Sequence, residues 1–145
     1  MINGIPVKIL KSDKTLGDDI ETVYIASFRK CPELAKIHKD FIKSANEFEK
    51  LQKINQLYTD KDLISEEEIE KFYLKKDEMV EKIIDAEQKL VDLVFKFCVT
   101  GFVAAGYDTV NAERIAGEIG IDRINELFNA CRTGSGILDF TVQPK

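Results

Sequence analysis

SEEEIEKFYLKKDEMVEKIIDAEQKLVDLVFKFCVT, residues 65–100, is the stretch on which the fold turns. Ile69, Phe72, Lys76, Met79, Ile83, Ala86, Leu90, Leu93 and Phe97 recur at alternating spacings of three and four. Eight of these nine positions are apolar, a heptad stripe that only a helix collects on one face. Ser65 with Glu68 forms a capping box, and Glu66–Glu68 place negative charge on the positive end of the helix. Glu67–Lys71, Glu78–Lys82, Asp85–Lys89 and Asp92–Lys96 each set an acid four residues before a base. Each such pair supports a helix by about 0.2–0.5 kcal/mol.

Working backwards, residues 33–58 carry the same period. Leu34, Ile37, Phe41, Ser44, Phe48, Leu51, Asn55 and Tyr58 occupy the a and d positions. Two long amphipathic helices joined by a short polar connection at 59–64 predict an antiparallel helical hairpin over about 33–100. Its seam either forms a projecting coiled coil or joins the domain core. Nearer the N-terminus, IPVKIL (5–10) predicts a short strand, with Pro6 confining it to an edge or a strand start. KSDKTLGDD (11–19) has loop chemistry. Residues 20–30 are ambiguous: Val23, Tyr24, Ile25 and Phe28 favour a strand, while Ile20, Val23 or Tyr24, and Phe28 fit a helix face. The expectation here is helix, ended by Cys31-Pro32.

Working forwards, the second helix becomes apolar almost all round near residue 90. Gly101 and Gly106 lower its helix propensity, and close backbone approach is a physical reason for glycines there. Asp108-Thr109 caps a short helix over 110–119, Gly120 breaks it, and Asp122 opens another to about Arg132. RTGSG (132–136) reads as a helix stop and linker, and the final ILDFTVQPK as a small strand or a loose tail. The fold class expected is therefore mainly α: a long antiparallel hairpin plus two short C-terminal helices, with a minor N-terminal β element. One helical domain is expected over 1–136, with a short tail at 137–145.

Composition narrows the function classes. The formal charge is −5, from 26 acids and 21 bases, which argues against a polyanionic partner. Cys31, Cys98 and Cys131 are an odd, widely spaced set and read as reduced thiols. The N-terminus lacks signal-peptide character, and the most apolar window, 90–107, contains Asp92 and Lys96. The chain is expected in the cytoplasm, off the membrane.

Ala-Gly-Glu-Ile-Gly-Ile (116–121) resembles the turn of a DNA-binding helix-turn-helix, with Ala116 and Gly120 four apart. Six positions past that glycine, however, stands Glu126 where a buried apolar side chain is needed. Residues 113–132 carry four acids against three arginines, a poor reading head for phosphates. His38 is the single histidine, so paired-histidine zinc and di-iron sites are excluded, and it is expected to be solvated. No carboxylate pair, phosphate loop or dinucleotide fingerprint stands out. No enzyme, catalytic residue, metal or cofactor is expected. What remains is apolar surface: Leu90, Leu93, Val94, Phe95, Phe97, Phe102 and Val103 exceed the need of one helix face and are candidates for partner binding. The alternative is that the helices over 110–132 fold back and cover them.

A short N-terminal strand, a charged helical middle and then FCVTGFVAAGYDTVNAERIAGEIGIDRINELFNACRTG (97–134) resemble the tail assembly chaperones of long-tailed bacteriophages, particularly those of Gram-positive hosts. The likeness covers roughly residues 85–134. It rests on the apolar helix ending in small residues, the short helix capped at Asp108 and Thr109 with Val110 and Glu113, and the amphipathic stretch of Ile121, Ile124, Leu127 and Phe128. The resemblance implies a binding protein of the host bacterial cytoplasm. It would coat the long, hydrophobic tape-measure protein, assist delivery of tail tube protein, and act as a homo-oligomer without nucleic acid. Two alternatives stay open: a small DNA-binding regulator using residues 110–132, and a generic coiled-coil structural or assembly subunit.

Overall fold

The computed structural model describes residues 2–10, 20–57, 65–119, 123–136 and 138–141. The loop expected at 11–19, the connection at 59–64, and the break and cap expected at Gly120 and Asp122 lie outside these residues. The elements are β1 (Ile5–Leu10), β2 (Ile20–Ile25), α1 (Glu33–Leu57), α2 (Glu66–Ala105), α3 (Thr109–Glu118), α4 (Ile124–Thr133) and β3 (Leu138–Asp139). The molecule is thus mainly helical, with a long helical hairpin, two short later helices and a small sheet. Its contacts divide it into two compact units, Met1–Lys39 with Leu93–Lys145, and Asp40–Asp92.

The first unit is built on a three-stranded sheet ordered β2-β1-β3. β1 alternates as its sequence requires, burying Ile5, Val7 and Ile9 and turning Lys8 and Leu10 outwards. It pairs antiparallel with β2, from Ile5 opposite Ile25 to Leu10 opposite Ile20. Residues 20–25 are therefore strand, which corrects the helical expectation. A helix would have satisfied the local pattern, but strand pairing buries Val23 and Ile25 completely on one face, and the long-range partner decides.

β1 is central, not an edge, and Pro6 is tolerated for a specific reason. The Tyr24 N–H opposite it points away to the Tyr107 hydroxyl, at 3.2 Å. Pro6 and Tyr24 are thus a non-hydrogen-bonded pair, so the missing proline N–H leaves no gap in the β1–β2 ladder. β3 lies parallel to β1, with Val7 opposite Leu138 and Lys8 opposite Asp139, and the Phe140 N–H donates to the Lys8 carbonyl at 2.9 Å. Of the two expectations for the segment from 137, a small strand or a loose tail, the strand is found at Leu138–Asp139.

The end of α2 is held against the sheet. The Ala26 N–H donates to the Gly101 carbonyl at 3.1 Å. A Cβ at Gly101 would stand 2.6 Å from Cγ1 of Ile25, so glycine here allows the close approach expected of it. Gly106 acts through its backbone conformation instead, and at φ 122° it turns the chain out of α2. Asp108 then caps α3, its carboxylate accepting from the Asn111 N–H at 2.8 Å. α4 ends on Gly134 in the left-handed conformation, φ 75°.

In the second unit, Ser65 accepts from the Glu68 N–H at 3.1 Å, the expected cap, and Glu67 lies 3.4 Å from Lys71. The heptad reading holds on both helices except at Ile69, which is exposed; Tyr58 lies outside the described residues. In α1, Phe41, Ser44, Phe48, Leu51 and Asn55 are shielded; in α2, Phe72, Lys76, Met79, Ile83, Ala86 and Leu90 are shielded while their neighbours are exposed. No helix among the described residues is long and apolar enough to cross a membrane.

Candidate functional site

The seven apolar residues between Leu90 and Val103 do not form one surface. Phe97 and Phe102 are both 0% exposed, and Leu90 and Val94 are buried as well. Leu93 is half-buried, and only Phe95 and Val103 remain open, at 43% and 41%. The expectation that Phe97 and Phe102 face a partner is corrected by the packing of the first unit. The Phe97 ring meets Phe128 of α4 edge-on at 4.7 Å and Phe28 at 6.1 Å. Phe102 meets Tyr107 at 6.0 Å. The fold-back of α3 and α4 buries Ala112, Ile115, Ala116, Ile124, Leu127 and Phe128 with them. A helix apolar all round is here a helix buried on several sides.

His38 is another correction. It is not solvated but half-buried between two rings, 4.5 Å from Phe128 and 5.6 Å from Phe28. Burial, and then the nearby Arg132 charge, push its pKa below the ordinary value of 6.5. The sequence signal was present in its place on α1, one residue past Ile37 and four past Leu34, beside the buried stripe. Cys98 and Cys131 are fully buried, and burial pushes both thiols up to about 12. Cys131 adds to the rise at Cys98, so the two thiols share one part of the core. Protonated and sealed, they are poor nucleophiles.

The helices α3 and α4 do not present free cations to a phosphate backbone. The Arg114 guanidinium grips both Glu21 oxygens, at 3.0 and 3.1 Å, and lies 3.6 Å from Glu118. Arg123 is bonded to both Glu126 oxygens, donates to the Asp139 carbonyl and lies over the Phe140 ring. Arg132 donates to Asn129 at 2.8 Å. Glu126, held below the usual carboxylate range by its hydrogen bond from Arg123, is thus a structural partner on the face where a DNA reader needs free bases. Among the described residues, no group of three or more His, Cys, Asp or Glu side chains is placed to hold a metal ion.

A run of exposed apolar side chains lies instead in the second unit. Ile69, Tyr73, Val80, Ile84 and Val91 of α2 are all exposed, Ile84 at 57%. At 3.6 residues per turn they fall on one stripe, about 100° round the helix from the hairpin seam. Ile69 belongs to this stripe more than to the seam where the heptad placed it. The other four, with Leu74, are the apolar residues left over once the a and d positions are assigned; Leu74 is exposed too but falls off the stripe, so the signal by which sequence alone could have found the stripe is the helical period of the remainder. Set against family models, curated proteins and solved structures, the chain matches none of them.

Proposed function

We propose that this chain is a non-enzymatic binding protein that holds a helical apolar client. Its specific form is the one implied by the resemblance: a tail assembly chaperone that coats the tape-measure protein, assists tail tube assembly and multiplies moderate contacts along a long client. The observation that carries the reading is the stripe of Ile69, Tyr73, Val80, Ile84 and Val91, exposed on a helix whose other apolar face is already used by the hairpin. A second apolar face on an amphipathic helix is the ordinary means of seating another helix.

The test is co-expression with helical fragments of a tape-measure protein, followed by co-purification. Val80→Asp combined with Ile84→Asp is expected to abolish capture while the helical circular dichroism and the melting transition are kept. Undiminished capture by that folded variant would overturn the stripe as the client surface. Capture of amphipathic helices in general, but of no tape-measure fragment, would remove the tail-chaperone form and leave a helix-binding protein.

A further inference from the structure

The stripe on α2 has one strongly acidic margin. Glu66, Glu70, Asp77 and Glu81 lie along one side of it and Glu87 along the other, all exposed. The lysines of this stretch stand elsewhere. Lys71, Lys75, Lys82 and Lys89 fall on the far side of the helix by the 3.6-residue period. Lys71 is already beside Glu67, at 3.4 Å. Lys76 alone lies near the stripe, half-buried, with its ammonium 5.8 Å from the centre of the Phe72 ring. An apolar line with four carboxylates along one margin, and one acid and one base on the other, selects among helical partners by charge.

From this rim we infer that the occupant of the stripe is a basic amphipathic helix, with apolar residues at spacings of three and four and Lys or Arg beside them. This rests on the helix-binding reading above and adds the chemistry of the partner. The stripe runs from Ile69 to Val91, about 33 Å at 1.5 Å per residue, so it takes roughly six turns of partner helix. A second copy of α2 does not fit. In an antiparallel pair like flanks face each other, which sets Glu70, Asp77 and Glu81 against the same carboxylates. In a parallel pair the acidic flank of four carboxylates meets a margin holding Glu87 and a single cation, the half-buried Lys76, so most of its charge is unanswered.

The test uses the full chain and two labelled synthetic helical peptides of about six turns. They share one Leu stripe; one has Lys flanks and the other Glu flanks. Fluorescence anisotropy is expected to show the Lys-flanked peptide binding at least about tenfold tighter than its Glu-flanked twin, with the gap closing as salt rises. The triple variant Glu70→Lys, Asp77→Lys, Glu81→Lys is expected to reverse the preference. These positions are exposed, so retained circular dichroism and melting are expected, and Glu70→Gln, Asp77→Asn, Glu81→Gln is the milder variant, expected to erase the preference. Equal binding of both peptides would overturn the charge selection while sparing the helix-binding reading. Binding of neither would overturn both. Concentration-dependent dimers in sedimentation, lost in Ile84→Asp, would make the occupant a second copy and overturn the inference.

Discussion

The two units of this molecule bury their apolar residues very differently. The first seals Val7, Val23, Ile25, Leu34, Phe97, Phe102, Ile115 and Leu127 at 0% exposure. In the second, among described residues, only Ser44 and Leu90 are buried at all. The cause is geometric. A sheet covered by helices shields side chains from several directions, whereas a two-helix hairpin hides one stripe on each helix and leaves the rest in water. An apolar side chain therefore means different things in the two units. In the first most are core, with Phe95, Val103 and Val110 among those left open; in the second, those away from the seam are available.

Predictions can break this contrast, beginning where the effect is largest. Phe97→Ala removes a ring that fills the space between Phe28 and Phe128. It is expected to cost about 3–5 kcal/mol in denaturant unfolding. A loss under about 1 kcal/mol would mean that the first unit is not the close-packed one. Gly101→Ala drives a methyl group onto Ile25 at a point fixed by the Ala26 hydrogen bond. It is expected to cost about 1–3 kcal/mol by the same measurement, and Gly101→Ala with Ile25→Val should recover part of it. In the second unit, Ser65→Ala removes one cap and is expected to cost about 1 kcal/mol. Hydrogen exchange would show it as faster exchange of the first amides of α2, with the sheet unaffected.

The smallest effect is a pH dependence. His38 has its pKa lowered in the folded chain by burial and by Arg132, so the unfolded chain binds its proton more readily. The stability this gives is fully present above the ordinary value of 6.5 and is lost as pH falls through the folded value. Unfolding followed from pH 7.5 down to about 5.5 should show stability declining, and His38→Phe should flatten that decline. Arg132→Gln should make it shallower. A steeper decline in either variant would contradict the assigned cause.

The hairpin was legible in the sequence because its information is local. Heptad spacing, the Ser65 cap and the Glu67–Lys71 pair all act within a few residues, and all three are found. The Asp108 cap and the Gly134 stop were readable for the same reason. What escaped depends on distant partners. β2 is a strand because β1 pairs with it, His38 is shielded because Phe28 and Phe128 reach it, and Phe97 is buried because α4 returns across it. The candidate surface was left open for that reason too: the apolar excess near residue 97 fitted either a partner or cover by the helices over 110–132, and the second is found for Phe97 and Phe102. The stripe from Ile69 to Val91 lay in plain view as the remainder of the heptad assignment.

The parallel pairing of Val7 with Leu138 has a consequence for how the protein is made. β1 and β2 are near in sequence, whereas residues 138 and 139, which cover the other edge of β1, are made much later. The α1–α2 hairpin, whose contacts are nearer in sequence, has time to form in that interval. Until Leu138 and Asp139 pair with it, β1 keeps one unpaired strand edge, and docking of β3 is the step that closes it.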